Sequence, residues 1–106
     1  MLFTLVTNTP YNLKDLIDSN GYVVSNVSTD GTILVKISHK DTNAQTTKVY
    51  IEGCSVTKSN LVVINDLESD YITYGHSLEI SIDASRLKSV SLLACCSDTD
   101  IHVSIF

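Results

Sequence analysis

The chain has 106 residues, a net charge of −5, 43% hydrophobic residues and 18% charged residues. This composition excludes a nucleic-acid-binding protein, which needs clustered Lys and Arg, and a disordered chain, which has fewer apolar residues and more charge. It also excludes a helical membrane protein, because no apolar run approaches the roughly 18 residues that span a bilayer. Val, Ile and Thr contribute 11, 10 and 11 residues against three Ala, so the composition favours strands.

The N-terminal part of the chain contains the only helix signal. Leu13, Leu16 and Ile17 are spaced at i, i+3 and i+4, which predicts a helix over 12–19 that Thr9 or Asn12 caps. Weaker strand signals lie on either side of this helix, over Leu2–Val6 and Tyr22–Val27.

Alternation of apolar and polar residues dominates the rest of the chain and predicts five half-buried antiparallel strands. They are Thr32–Ser38, Thr47–Glu52, Ser77–Asp83, Lys88–Cys96 and Asp100–Phe106. In the fourth of these, the residues that share the inward face are Val90, Leu92, Ala94 and Cys96. The run Leu61–Ile64 is apolar throughout, which predicts a central strand covered on both faces, and Tyr71–Tyr74 is a weaker strand.

Turn and loop residues separate these strands at intervals of about 8–12 residues. They are Asp30-Gly31, Asp41–Gln45, Gly75-His76, Asp83–Arg86 and Ser97–Thr99. The sequence therefore predicts a single all-β domain over residues 1–106. We expect an antiparallel β-sandwich, jelly-roll or Ig-like, of about eight or nine short strands with one short N-terminal helix.

The three cysteines are Cys54, Cys95 and Cys96. An odd number without a C-x-x-C pair fits neither a disulfide framework nor a zinc site. Cys95 and Cys96 are adjacent, so in a strand their side chains point to opposite faces and do not pair without strain. We interpret all three as reduced thiols of a protein in a cytosolic-type compartment, since the N-terminus also lacks an export signal.

Three groups of side chains resemble metal ligands, and for each a structural role is the better interpretation. Asp98, Asp100 and His102 share one face of a strand if they lie in it, but a structural zinc site wants four ligands. The calcium-like spacing of Asp41, Asn43, Gln45 and Glu52 has Thr46 where such a loop needs Gly. A third acidic group, Asp66, Glu68 and Asp70, is interpreted as a solvated loop. We predict no metal and no cofactor.

Nucleophilic catalysis finds little support in the sequence. His39, His76 and His102 lie at strand ends or on outer faces, and with four Gly the chain has no glycine-framed nucleophile or phosphate loop. A cysteine paired with one of these histidines is the remaining possibility, but a free cysteine is usually a small buried hydrophobe. The chain is therefore predicted not to be an enzyme.

Outward-facing apolar residues are the more informative feature. Leu34, Tyr50, Leu93 and Phe106 fall on the faces opposite the predicted core positions of their strands. With Phe3 of the N-terminal strand, they form the candidate surface for contacts with other subunits, because exposed apolar and aromatic residues mark interaction surfaces.

These features lead to three hypotheses about function, none of which rests on a family resemblance. The first is a non-catalytic assembly protein, a small virion component such as a capsid decoration, neck or tail subunit, which contacts other protein subunits and neither nucleic acid nor membrane. It is expected in the virion, after assembly in the host cytoplasm, and otherwise in the cytoplasm. The second is a glycan-binding module that uses tyrosines, namely Tyr11, Tyr22, Tyr50, Tyr71 and Tyr74. The third is an acidic inhibitor that mimics DNA.

Overall fold

The computed structural model describes residues 1–21, 31–52, 61–63 and 71–106. These residues form nine strands, one α-helix and two 3-10 helices. The strands are β1 (Leu2–Leu5), β2 (Tyr11–Asn12), β3 (Thr32–His39), β4 (Lys48–Glu52), β5 (Leu61–Val63), β6 (Tyr71–Ile72), β7 (Ser77–Asp83), β8 (Ser91–Cys95) and β9 (Thr99–Ile105). The helix α1 spans Leu13–Ser19, and the 3-10 helices span Thr42–Ala44 and Ala84–Ser89. The predicted strand over 22–27, Cys54 and the acidic group at 66, 68 and 70 lie outside the described residues.

The described strands form two antiparallel sheets whose strand pairs are nested. One sheet has five strands in the order β1-β9-β3-β7-β5, and the other has four in the order β2-β8-β4-β6. The pairs β1–β9, β2–β8, β3–β7 and β4–β6 are nested, as in one long hairpin whose arms are rolled around a common core. Consecutive described strands always lie in different sheets. This is the double Greek-key order of a jelly roll, whereas an Ig-like sandwich pairs consecutive strands.

The inward faces of both sheets supply one hydrophobic core, which confirms the all-β sandwich and the predicted alternation. Fully buried side chains alternate along β3, β7 and β9, and the four-stranded sheet and the helix contribute equally buried residues. The core includes Ile33, Val35, Ile37, Val49, Ile72, Leu78, Ile80, Leu92, Ile101, Val103, Leu13 and Ile17. Each such side chain contributes about 1.5–3 kcal/mol relative to an exposed one.

Asn12 caps the helix, and α1 packs its apolar face into this core as predicted. The Asn12 Oδ1 atom accepts hydrogen bonds from the amides of Lys14 (2.9 Å) and Asp15 (3.3 Å), which otherwise lack a helical partner. Its Nδ2 atom donates to the Lys88 carbonyl, so the same side chain ties the helix to the end of the second 3-10 helix. Of the two predicted capping residues, Asn12 is therefore the one used.

Two strand predictions were wrong in detail. The run over 61–64 was expected to be central, but β5 pairs only with β7 and ends the five-stranded sheet as far as the described strands show. An apolar run does not reveal which strand is central, because chain topology decides that. In the run over 88–96, Val90, Leu92 and Ala94 are buried as predicted, whereas Cys96 is exposed. The strand ends at Cys95, and Cys96 has a φ of +97°, which turns its side chain outward.

Predicted turns are more structured than the sequence indicated. The loop predicted over 41–45 holds the first 3-10 helix, which Asp41 caps through the amide of Asn43 at 2.9 Å. The turn predicted over 83–86 is the start of the second 3-10 helix, where Asp83 accepts from the amide of Ser85 at 3.0 Å. Gly75 occupies the expected turn after β6 with a φ of +84°.

Candidate functional site

Of the three candidate ligands near the C-terminus, the two aspartates make separate structural contacts and the histidine is exposed. Asp98 Oδ1 accepts hydrogen bonds from the Thr7 amide and the Thr7 hydroxyl, both at 2.9 Å, which attaches the β8–β9 turn to the chain after β1. Asp100 accepts from the Thr4 hydroxyl across β1 and β9, while His102 is exposed. Across the described residues, no group of three or more His, Cys, Asp or Glu side chains is placed to hold a metal ion.

In the calcium-like group, the Asp41 carboxylate makes structural contacts. Asp41 Oδ2 accepts from the Asp100 amide at 2.8 Å, and its other oxygen caps the first 3-10 helix. These hydrogen bonds, from the Asp100 amide first and the Asn43 amide second, hold the pKa of Asp41 below its usual range. Hydrogen bonds from the Thr7 amide and hydroxyl lower the pKa of Asp98 in the same way. Both carboxylates are therefore used to fasten loops.

His39 and His76 make hydrogen bonds to backbone groups and a threonine hydroxyl. His39 is fully buried, with its Nε2 atom 3.0 Å from the Thr47 carbonyl and its Nδ1 atom 3.5 Å from the Asp41 amide. Since a carbonyl accepts and an amide donates, Nε2 carries the proton and Nδ1 accepts. His76 Nδ1 lies 2.9 Å from the Thr73 hydroxyl. Neither contact pairs a histidine with a cysteine.

Tyr50 and Leu93, both predicted to face outward, form a cross-strand pair on the outer face of the four-stranded sheet. Tyr71 of β6 lies on the other side of Tyr50, with the two ring centroids 5.4 Å apart and the ring planes inclined by 54°. A depression of about 260 Å³ is lined by Pro10, Tyr50, Ser91 and Leu93. We call Pro10, Leu93, Tyr50 and Tyr71 the tyrosine row, because they follow one another across the sheet from the residue before β2 through β8 and β4 to β6.

Lys48 gives the tyrosine row a charged border. Its Nζ atom lies 4.7 Å from the centroid of the Tyr71 ring, which is a cation–π contact. The alternation predicted Tyr50 and Leu93 as outward-facing, and the glycan hypothesis named Tyr50 and Tyr71 among its tyrosines, but no sequence pattern placed Tyr71, Pro10 or Lys48 beside Tyr50. Only the pairing between strands brings these residues together, since Tyr50 and Tyr71 are far apart along the chain.

Leu34 and Phe106 form a second pair, on the outer face of the five-stranded sheet. The Phe106 amide donates to the Leu34 carbonyl at 2.9 Å, Phe106 is 58% exposed and Leu34 is half-buried. We call these two residues the Phe106 corner. Four of the five residues of the predicted surface are thus divided between opposite sides of the sandwich.

Phe3 belongs to neither surface. Its side chain is 5% exposed and packs in the core, whereas Leu2, its neighbour in β1, is 55% exposed. The sequence of β1 has apolar residues on both faces, so its pattern does not say which face is inward. The register with β9, which places Phe3 opposite the buried Ile101, decides it.

The remaining predicted features lie apart from these surfaces. Tyr11 accepts a hydrogen bond from the Val6 amide, and Tyr74 makes an edge contact with the His39 ring at 5.9 Å, so neither joins the tyrosine row. None of the helices in the described ranges is both long and apolar enough to cross a lipid bilayer. In comparisons with protein-family models, with curated proteins and with solved structures, no match to the chain is found.

Proposed function

We propose that the chain is a non-catalytic assembly subunit that acts through protein–protein contacts, in the setting of a virion as a capsid decoration, neck or tail component. The observation that carries this proposal is the position of the tyrosine row and the Phe106 corner on opposite outer faces of one sandwich. A subunit placed between two neighbours needs contact surfaces on two sides.

The size of the domain agrees with this arrangement. Its accessible surface is 5935 Å². Two contacts that each bury about 800 Å² of this chain, a standard area for one partner, would cover about a quarter of that surface. Both surfaces hold aromatic residues, which are enriched where proteins meet. The jelly-roll order is shared by viral capsid domains and by lectins, and this fold-level analogy supports the virion setting without assigning it.

The test is the assembly state of the wild-type chain and of one variant in each surface. Light scattering after size-exclusion chromatography, at increasing concentration, should show association that Leu93→Ser and Phe106→Ser each weaken. The matched control is Val6→Ser, because Val6 is 48% exposed and lies in neither surface. A chain that is monomeric at the highest attainable concentration, and absent from fast-sedimenting particles of its natural source, would contradict the proposal.

A glycan-binding module is the second candidate, because Tyr50 and Tyr71 lie side by side and Tyr50 lines a depression together with Ser91. Tyrosine offers a flat ring for stacking and a hydroxyl for hydrogen bonding, which suits a sugar. On a glycan array, this candidate predicts binding that Tyr50→Ala abolishes and Val6→Ser preserves. An array without binding would remove the candidate and leave the assembly proposal intact.

A further inference from the structure

The β8–β9 turn brings two thiols together at the surface. The Sγ atoms of Cys95 and Cys96 are 3.0 Å apart, with Cys95 half-buried and Cys96 exposed. In a regular strand these neighbours would point to opposite faces, as the alternation predicted. The φ of +97° at Cys96 breaks the alternation and turns its sulfur toward that of Cys95.

Side-chain contacts of Ser97, Asp98 and Thr99 hold the turn in this conformation. The Ser97 hydroxyl lies 2.5 Å from the hydroxyl of Thr47, which is buried, and the Thr99 hydroxyl donates to the Ser97 carbonyl at 3.0 Å. Asp98 is bound to Thr7 by the two hydrogen bonds described above. A positive φ at a residue other than glycine costs about 1–3 kcal/mol and persists where surrounding contacts impose it. The turn therefore holds the two thiols side by side before any oxidation takes place.

We propose that Cys95 and Cys96 form a vicinal dithiol that a small disulfide, of the glutathione disulfide class, oxidises reversibly to an intramolecular disulfide. In the first step one cysteine loses its proton, and its sulfur attacks the small disulfide, forming a mixed disulfide and expelling one small thiolate. In the second step the neighbouring cysteine loses its proton, and its sulfur attacks the cysteine sulfur of the mixed disulfide and expels the second small thiolate. The two cysteines lose two electrons and two protons, and the small disulfide gains both as two thiols.

Geometry favours both the formation and the reversal of this bond. The second step is unimolecular, since the attacking sulfur is held beside the mixed disulfide. The product is strained, because adjacent Cα atoms are about 3.8 Å apart whereas ordinary disulfides join Cα atoms about 4.4–6.8 Å apart. Strained and exposed disulfides are readily reduced, so a dithiol reagent should restore both thiols. This inference is independent of the proposed assembly role.

Tryptic peptides of the wild-type chain allow a direct test. Residues 89–106 contain Cys95 and Cys96 but no Lys or Arg, and Cys54 lies in a different peptide. After treatment of the folded protein with excess glutathione disulfide and alkylation of free thiols, this peptide should have lost two hydrogen atoms and carry no glutathione. Dithiothreitol should return it to the doubly alkylated form. A wild-type peptide that retains one or two glutathione groups would overturn the proposal.

The matched variant is Cys96→Gly, which removes one thiol and suits the positive φ, so the turn is kept. In this variant Cys95 has no neighbouring thiol to expel glutathione from the mixed disulfide. Cys95 should therefore accumulate as the stable glutathione adduct. A second measurement tests the role of the fold. Loss of the two hydrogen atoms should be at least about tenfold faster in the folded wild-type chain than in the chain unfolded in urea. Equal rates in the folded and the unfolded chain would show that the turn does not hold the two thiols together before oxidation. This result would also overturn the proposal.

Discussion

Replacement of Asn12 is expected to lower the free energy of unfolding through two separate losses, because its side-chain amide binds both α1 and the second 3-10 helix. Its oxygen caps α1, and loss of such a cap costs about 1 kcal/mol. Its nitrogen donates to the Lys88 carbonyl, a hydrogen bond worth about 1 kcal/mol net. Asn12→Ala loses both and should lower the free energy of unfolding by about 2 kcal/mol. Asn12→Ser keeps a capping oxygen and loses the bond to Lys88, so it should lose only about 1 kcal/mol.

Urea and thermal unfolding followed by circular dichroism measure these differences. For a domain of this size, 1 kcal/mol corresponds to about 4 °C in Tm, so Asn12→Ala should unfold about 8 °C below the wild type. Asp18→Asn is the matched control in the same helix, because it breaks only the exposed Lys14–Asp18 ion pair and should cost less than about 0.5 kcal/mol. Equal losses in Asn12→Ala and Asn12→Ser, or a loss in Asn12→Ala no larger than in the control, would refute the division into two roles.

Three further predictions concern acid stability, the strained turn and a buried polar pair. The folded-state pKa values of Asp41 and Asp98 are lowered, so their stabilising effect is present above the unfolded pKa of about 3.9 and is lost as the pH falls through the folded values. The free energy of unfolding in urea, measured between about pH 6 and pH 2, should show this loss, and the double variant Asp41→Asn, Asp98→Asn should lose less stability in acid. The same pH dependence in the double variant and the wild type would contradict the assignment of the loss to these two carboxylates. Cys96→Gly should raise the free energy of unfolding by about 1 kcal/mol in urea titrations, since Gly adopts positive φ without strain, and a decrease would count against that strain. The Ser38 and Ser77 hydroxyls, 2.8 Å apart and buried, should each cost about 1–2 kcal/mol when changed singly to Ala, whereas the double change should cost no more than either; additive losses in a double-mutant cycle would refute this.

Local features of the fold could be predicted from the sequence because short-range physics determines them. The alternation in β7 gives its inward face directly, and the structure places Leu78, Ile80 and Ile82 there. The apolar spacing of α1 and the cap at Asn12 are likewise contained within a few neighbouring residues. Composition favoured strands, and the spacing of the predicted strands and turns indicated a sandwich or a barrel.

Features that depend on strand pairing could not be predicted in this way. Whether Phe3 or Leu2 faces inward is decided by a partner strand at the other end of the chain. Tyr71 joins Tyr50 only because β4 pairs with β6. The outward turn of Cys96 depends on contacts of the following residues with Thr47 and with Thr7. Sequence patterns therefore located half of the tyrosine row, and the register supplied the rest.

The position of β9 has a consequence for how the protein is made. This strand lies between β1 and β3, yet it follows all the other described strands in the sequence. While the ribosome is still synthesising β9, β1 lacks its neighbour among the described strands, and β3 exposes the backbone edge that β9 later covers. Unpaired edges attract strands of other chains. We therefore expect the native sheet to close only after translation has passed β9, and the edge of β3 to be the part of a nascent chain that most needs shielding until then.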